Sequence, residues 1–220
     1  MKRFSLKYTL LTYRLDQLWF PLAFWAFFVL LTLLLREQVE DFNIARAYIG
    51  VAIPLIGGFM AAYAILDDPA IELRFATPIR AAQILFERTT LILLIQAACA
   101  LAFILFALLI GVDFAPLGSP FNLQLSWLIP TVAMIALGTF GAILGAQTMI
   151  GSFLVGLVWI IEVIIRDGMA VNYWKYAYLF MGILNPEHPD LASNQIALFA
   201  ASAIVLFFAW LLLHRQERYI

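Results

Sequence analysis

The 220-residue chain carries 65% hydrophobic and 12% charged side chains, a formal net charge of −1 and a single cysteine, with a mean hydropathy of +0.96. Soluble domains average about 45–50% apolar and about 25% charged residues, so this composition describes an integral membrane protein, and its near-zero charge argues against a nucleic-acid partner, which requires a basic surface. Cys99 lies in an apolar run and reads as a packing residue, since one thiol supports neither a disulfide framework nor a cysteine metal site.

The first residues hold Lys2, Arg3 and Lys7 but no short apolar region ending in a small-residue cleavage site, so a mature N-terminus without a secretory signal is expected. Over residues 3–18, Phe4, Tyr8, Leu11, Leu15 and Leu18 share a helical face flanked by Arg3, Lys7 and Arg14. That pattern suits an interfacial helix on the cytoplasmic leaflet, or else a cytoplasmic extension of the first span.

Apolar runs approaching the roughly 20 residues that cross a bilayer predict six spans, at about 19–35, 47–66, 89–111, 127–145, 150–165 and 195–213. Pro54, Gly57 and Gly58 lie inside the second, where they allow bending or close helix approach. The apolar stretch 127–165 is too long for one crossing and divides at GAQTMIG, which implies a very tight turn between spans four and five. The expected fold is therefore all-α, a single transmembrane domain over residues 1–220.

Lysine and arginine set the orientation. With the N-terminus inside, nine cations (Lys2, Arg3, Lys7, Arg14, Arg74, Arg80, Arg88, Arg215 and Arg218) fall on the cytoplasmic side and four (Arg36, Arg46, Arg166 and Lys175) outside. Both termini are thus expected in the cytoplasm of a multi-pass protein of the cell membrane. The outer segment 166–194 is rich in aromatics (Tyr173, Trp174, Tyr176, Tyr178, Phe180), as at a membrane interface.

The longest charged interval between apolar runs, Asp67 to Arg88, reads as a cytoplasmic elbow of two helices. Asp68 with Pro69, then Thr77 with Pro78, each supply an N-cap followed by proline at the first helical position. Proline disfavours the α conformation in the residue before it, so the first helix stops near Thr77. On that helix Ile71 and Phe75, four apart, form a small apolar seam while Glu72 and Arg74 point elsewhere. A short helix of this kind suits docking into another protein, with Asp67, Asp68, Ile71, Glu72, Arg74, Phe75, Thr77, Pro78 and Arg80 as the candidate coupling residues.

Within the apolar runs Glu162 is the one deeply placed acid. Such residues face a protein interior or water, so Glu162 reads as lining a translocation path, as the partner of Arg166 one turn on, or as sitting near the outer headgroups where the fifth span ends. Gln96 and Gln147 pose the same question, between path contacts and interhelical hydrogen bonds. No G-x-x-x-x-G-K-[ST] phosphate loop and no H-E-x-x-H motif occurs. His188 and His214 both lie outside the spans, leaving Ser152 without an evident base, so Gly151-Ser152 reads as small-residue packing and no enzyme activity is expected.

The elbow resembles the corresponding segment of the ABC-2 type permeases, the membrane subunits of ABC exporters. Asp68, Glu72, Leu73, Ala76, Thr77, Pro78, Ile79, Arg80, Ile84, Leu85 and Arg88 follow that family's pattern in order, with Pro69-Ala70 where glycine is usual and Arg88 where lysine is common. The resemblance implies an interfacial N-terminal helix, six spans, a coupling helix at Asp67–Arg80 and short re-entrant helices between spans five and six, with Asn185-Pro186 similar to a common turn there. It also implies a separate ATPase subunit carrying ATP and Mg, a second permease copy or paralogue, and a path lined by spans one, two and five. Scarce charge in the spans suits an apolar or amphipathic cargo such as a lipid, peptide or drug. The rival expectations are a small-molecule-binding membrane subunit like the substrate component of a vitamin importer, a heme-export permease, which would want a histidine in a span, and a structural membrane protein without a transport role.

Overall fold

A computed structural model describes residues 16–35, 41–66, 81–170 and 172–214. Every regular element among them is helical: α1 (Asp16–Leu34), α2 (Asp41–Ala47), a π-helical turn (Tyr48–Ala52), α3 (Ile53–Tyr63), α4 (Ala81–Leu109), α5 (Pro120–Gly145), α6 (Thr148–Ile164), α7 (Arg166–Met169), α8 (Met181–Leu184) and α9 (Leu191–Leu213), with 3-10 turns at Ala115–Leu117 and Asn172–Tyr176. Four stretches are long and apolar enough to cross a membrane: Asp41–Tyr63, Gln83–Leu109, Pro120–Gly145 and Leu191–Leu213; two shorter apolar helices cover Leu18–Leu34 and Thr148–Ile164. The protein is thus built for embedding in a membrane. Of the expected N-terminal interfacial helix over 3–18, residues 3–15 lie outside the described residues and 16–18 belong to α1.

The helices start earlier than hydropathy predicts. α5 begins at Pro120 rather than near 127 because Ser119 caps it, its hydroxyl accepting from the Asn122 N–H at 3.2 Å with Pro120 at the first helical position. The second long helix begins at Asp41 rather than near 47. Its polar start is tolerated because Ile44 and Ala45 are buried while Arg46 borders a cavity. The tight turn between α5 and α6 is present, with Ala146 left-handed (φ 51°) and the Gln147 N–H returning to the Ala142 carbonyl at 3.1 Å.

α5 is the hub of the bundle, packing on α3 most extensively, then on α9 and α6. Small residues set those distances. A Cβ on Gly138 would collide with the Gly58 carbonyl oxygen, and one on Gly151 would stand 2.6 Å from the Gly138 carbonyl, so α3, α5 and α6 meet backbone to backbone. The π turn precedes Pro54, which has no N–H to offer the Gly50 carbonyl and whose ring would crowd it; widening the helix removes the conflict. The Trp159 indole N–H then donates to the Val51 carbonyl in that turn at 3.1 Å. Tyr48 stacks on Phe103 and Phe28, with centroids 4.3 and 5.0 Å away, at the centre of the main core. Cys99 is a buried, free thiol in the same core.

A second, smaller cluster joins Ile65, Leu85, Ile143, Ala209 and Leu213. It ties the chain on either side of residues 67–80 to the C-terminal turns of α5 and α9.

Candidate functional site

The nine candidate coupling residues, Asp67, Asp68, Ile71, Glu72, Arg74, Phe75, Thr77, Pro78 and Arg80, lie outside the described residues. The structure does describe where their segment is rooted. It leaves from Leu66 and returns into α4, where Ile84, Leu85 and Arg88 are all buried. The elbow's continuation is therefore packed into the bundle.

The three polar residues expected along a path do not gather. Gln147 is exposed at the start of α6, and Glu162 lies fifteen residues further along the same helix, about 22 Å away at 1.5 Å per residue. Gln96 is fully buried in α4 against Gly57 of α3; its amide donates to the Met60 sulfur at 3.1 Å, and its carbonyl oxygen has no partner. Glu162 is 3% exposed, and its carboxylate accepts the Leu179 N–H at 2.9 Å. It holds the segment between α6 and α9 against the bundle.

That segment is built around this contact. Hydropathy groups its aromatics together, but the structure divides them: Tyr173, Trp174 and Tyr176 are exposed, whereas Tyr178 and Phe180 are buried at 1% or less. Residues 178–183 fold inward, where Ile183 fills the space left by Gly50 of the π turn and Gly182 rests on Ser126 of α5. A second anchor is Asn194, buried in the first turn of α9, whose amide donates to the carbonyls of Lys175 at 2.6 Å and Tyr178 at 2.9 Å. Burying those carbonyls without a donor would be costly, and a short amide on the facing helix satisfies both. Sequence reasoning missed Asn194; its signal is a polar Ser-Asn-Gln triplet opening an otherwise apolar helix.

Outside the bundle the Lys175 ammonium meets Asp190 at 2.7 Å. The hydrogen bond from Lys175 holds the Asp190 carboxyl below its ordinary range, and Asp190 holds the lysine above its own. Because the aspartate's value is lowered on folding, its contribution is present above the ordinary carboxylate range and is lost as pH falls through the lowered value. Lys175→Met should return the Asp190 carboxyl toward the ordinary range. A carboxyl-carbon NMR titration of both proteins checks this, and an identical midpoint would exclude the pairing in solution.

Behind the segment lies a cavity of about 290 Å³ lined by Arg46, Arg166, Ala170, Tyr178, Leu184 and Asn185. Arg46 also stands over the Phe42 ring, 5.6 Å from its centroid. Arg46 and Tyr63 are seventeen residues apart on one nearly continuous helix, roughly 26 Å, so the cavity lies at the other end of that helix from Leu66, where residues 67–80 begin. The chain matches no family model, no curated protein and no solved structure.

Proposed function

We propose that the chain is the permease subunit of an ATP-binding-cassette exporter of the ABC-2 type, moved by a separate ATPase subunit docked on Asp67–Arg80. The observation that carries this reading is the ordered pattern from Asp68 through Thr77-Pro78-Ile79-Arg80 to Arg88, placed between two helices of the membrane bundle. The packing at its roots supports it. Ile65 and Leu85 join the elbow's flanks to α5 and α9, so a push on the elbow would pass into the bundle as a rigid displacement rather than being absorbed in a slack loop. The two 17-residue apolar helices are long enough, at the short end of the roughly 17–25 residues that suffice, to complete six crossings with both termini in the cytoplasm. A second copy or paralogue would complete the path, which spans one, two and five would line.

Intact-complex mass spectrometry of the gently extracted chain tests the proposal: a stoichiometric ATPase bearing a phosphate loop is expected. A lone chain carrying a small molecule would favour the ligand-capturing subunit instead. Ile71→Asp with Phe75→Asp should abolish recovery of that ATPase and lower transport at least about tenfold while the bundle stays folded, because the seam would face the partner. Undiminished transport and complex yield in the double variant would refute the docking role.

A further inference from the structure

The cavity bordered by Arg46 and Arg166 has no place in the coupling proposal, and the charged residues among the described ones that line it are both cationic. Two arginines that are 120 residues apart in sequence border one void, together with the buried Tyr178 and with Asn185. No carboxylate is among the described residues that line it. The buried Glu162 nearby is directed at the Leu179 N–H. Arg166 and Tyr178 each make a further interaction in the protein, and a guanidinium, with five N–H donors in a planar fork, can hold more than one partner at a time. Like charges gathered around a shared space repel, and a bound anion reverses the sign of that energy.

Size and depth narrow the ligand. About 290 Å³ is at the bottom of the roughly 300–1,000 Å³ range of small-molecule sites, enough for a charged head but not for acyl chains. Arg46 lies about 26 Å along its helix from Tyr63, close to the roughly 30 Å of a bilayer's hydrocarbon core, which puts the cavity at the headgroup level opposite the Tyr63 end of that helix. Exposed Tyr173, Trp174 and Tyr176 beside it are the residue types of a membrane interface.

We propose that this cavity binds a phosphate group, gripped by Arg46 and Arg166 and oriented by Tyr178 and Asn185. Planar forks match phosphate oxygens in pairs. The phosphate comes either from a lipid head or from the solution on that face, and the site stands whether or not the chain is an ABC permease.

The full chain in a non-ionic detergent should be titrated calorimetrically with dihexanoylphosphatidylglycerol, with dihexanoylglycerol, which has the same tails and no phosphate, and with inorganic phosphate. Saturable binding of the phospholipid and none of the diglyceride are expected. The double variant R46Q/R166Q should weaken binding at least about tenfold, and K175Q, which removes a cation of the same segment outside the cavity, less than about twofold. Competition by inorganic phosphate identifies the free anion as a ligand; phospholipid binding without such competition identifies a lipid head. Equal binding of the diglyceride, failure of both phosphate probes, or unchanged affinity in R46Q/R166Q overturns the proposal. Should that variant not fold, R46K/R166K keeps the charge and loses the fork: a loss of about threefold or more is expected, and none would overturn the site.

Discussion

Gly138→Leu should abolish recovery of folded protein. The glycine is where α3, α5 and α6 come together, and even a Cβ there would collide with the Gly58 carbonyl oxygen. Backbone oxygen cannot rotate away as a side chain can, so α3 must move off α5, and the Val155 side chain of α6, 3.2 Å from the same Cβ position, must give way as well. Overpacking a tight core costs about 1–3 kcal/mol where side chains can yield; here a helix pair must separate and a polar carbonyl loses its close neighbours, so the effect falls at or beyond the top of that range. Folded domains are stable by about 5–15 kcal/mol, and a loss at that level removes a large share. The check is monodisperse yield in detergent alongside Gly156→Ala. At Gly156 a Cβ meets only the Phe59 ring edge at 3.8 Å, an ordinary contact, and alanine gains helix propensity of about 1 kcal/mol. Comparable yields of the two variants would show that α3 and α5 do not approach as described.

The glycine contact shows what could be read from the sequence and what could not. Gly57-Gly58 in an apolar run signals close helix approach, and Gly151 beside Ser152 signals small-residue packing; the close approaches at Gly58 and Gly151 agree with the structure. Their shared partner, Gly138, carries no local mark that separates it from other glycines, because being a partner is a property of the three-dimensional arrangement. The split of 127–165 was legible because a tight turn needs small and polar residues at a fixed place. Helix starts were less so, since hydropathy registers apolar area while Ser119 begins its helix through a hydrogen bond to the Asn122 N–H, which hydropathy does not weigh. Glu162 was visible as an anomaly, but its three anticipated roles were path, Arg166 or headgroups. Its contact with the Leu179 N–H was hidden because the partner is a backbone donor, and every residue but proline has one.

The two ends of the bundle divide the proposed labour. At one end the flanks of residues 67–80 are stitched to α5 and α9. At the other, residues 178–183 are pressed onto α5 and the π turn by two side chains, Glu162 and Asn194, each satisfying backbone groups. Since α5, with Pro130 inside it, touches both regions, a displacement at the flanks of residues 67–80 would reach the proposed phosphate cavity through one continuous helix rather than through a chain of loops.

Glu162→Leu should loosen the segment over residues 172–184 without dissolving the bundle. Removing the carboxylate leaves the Leu179 N–H buried with no acceptor, a penalty of about 1–3 kcal/mol, which corresponds to about 5- to 150-fold faster hydrogen exchange of amides in that segment. Because the segment can open on its own, global thermal stability is expected to fall by no more than that local penalty, whereas general misfolding would lower both together. Glu162→Gln retains an acceptor oxygen at the same reach and should raise exchange less than about threefold. Asn194→Leu, which strands the Lys175 and Tyr178 carbonyls, should open the same residues. Because Tyr178 and Leu179 are adjacent, the two anchors secure one stretch of backbone, and the double variant should cost less than the sum of the singles, with a coupling of about 0.5 kcal/mol or more. Tyr178 also walls the cavity, so phosphate affinity should fall in step with segment opening. Exchange that is unchanged in Glu162→Leu, Asn194→Leu and the double variant would mean that the segment is held by its apolar packing alone, with Ile183 against Gly50 sufficient to seat it.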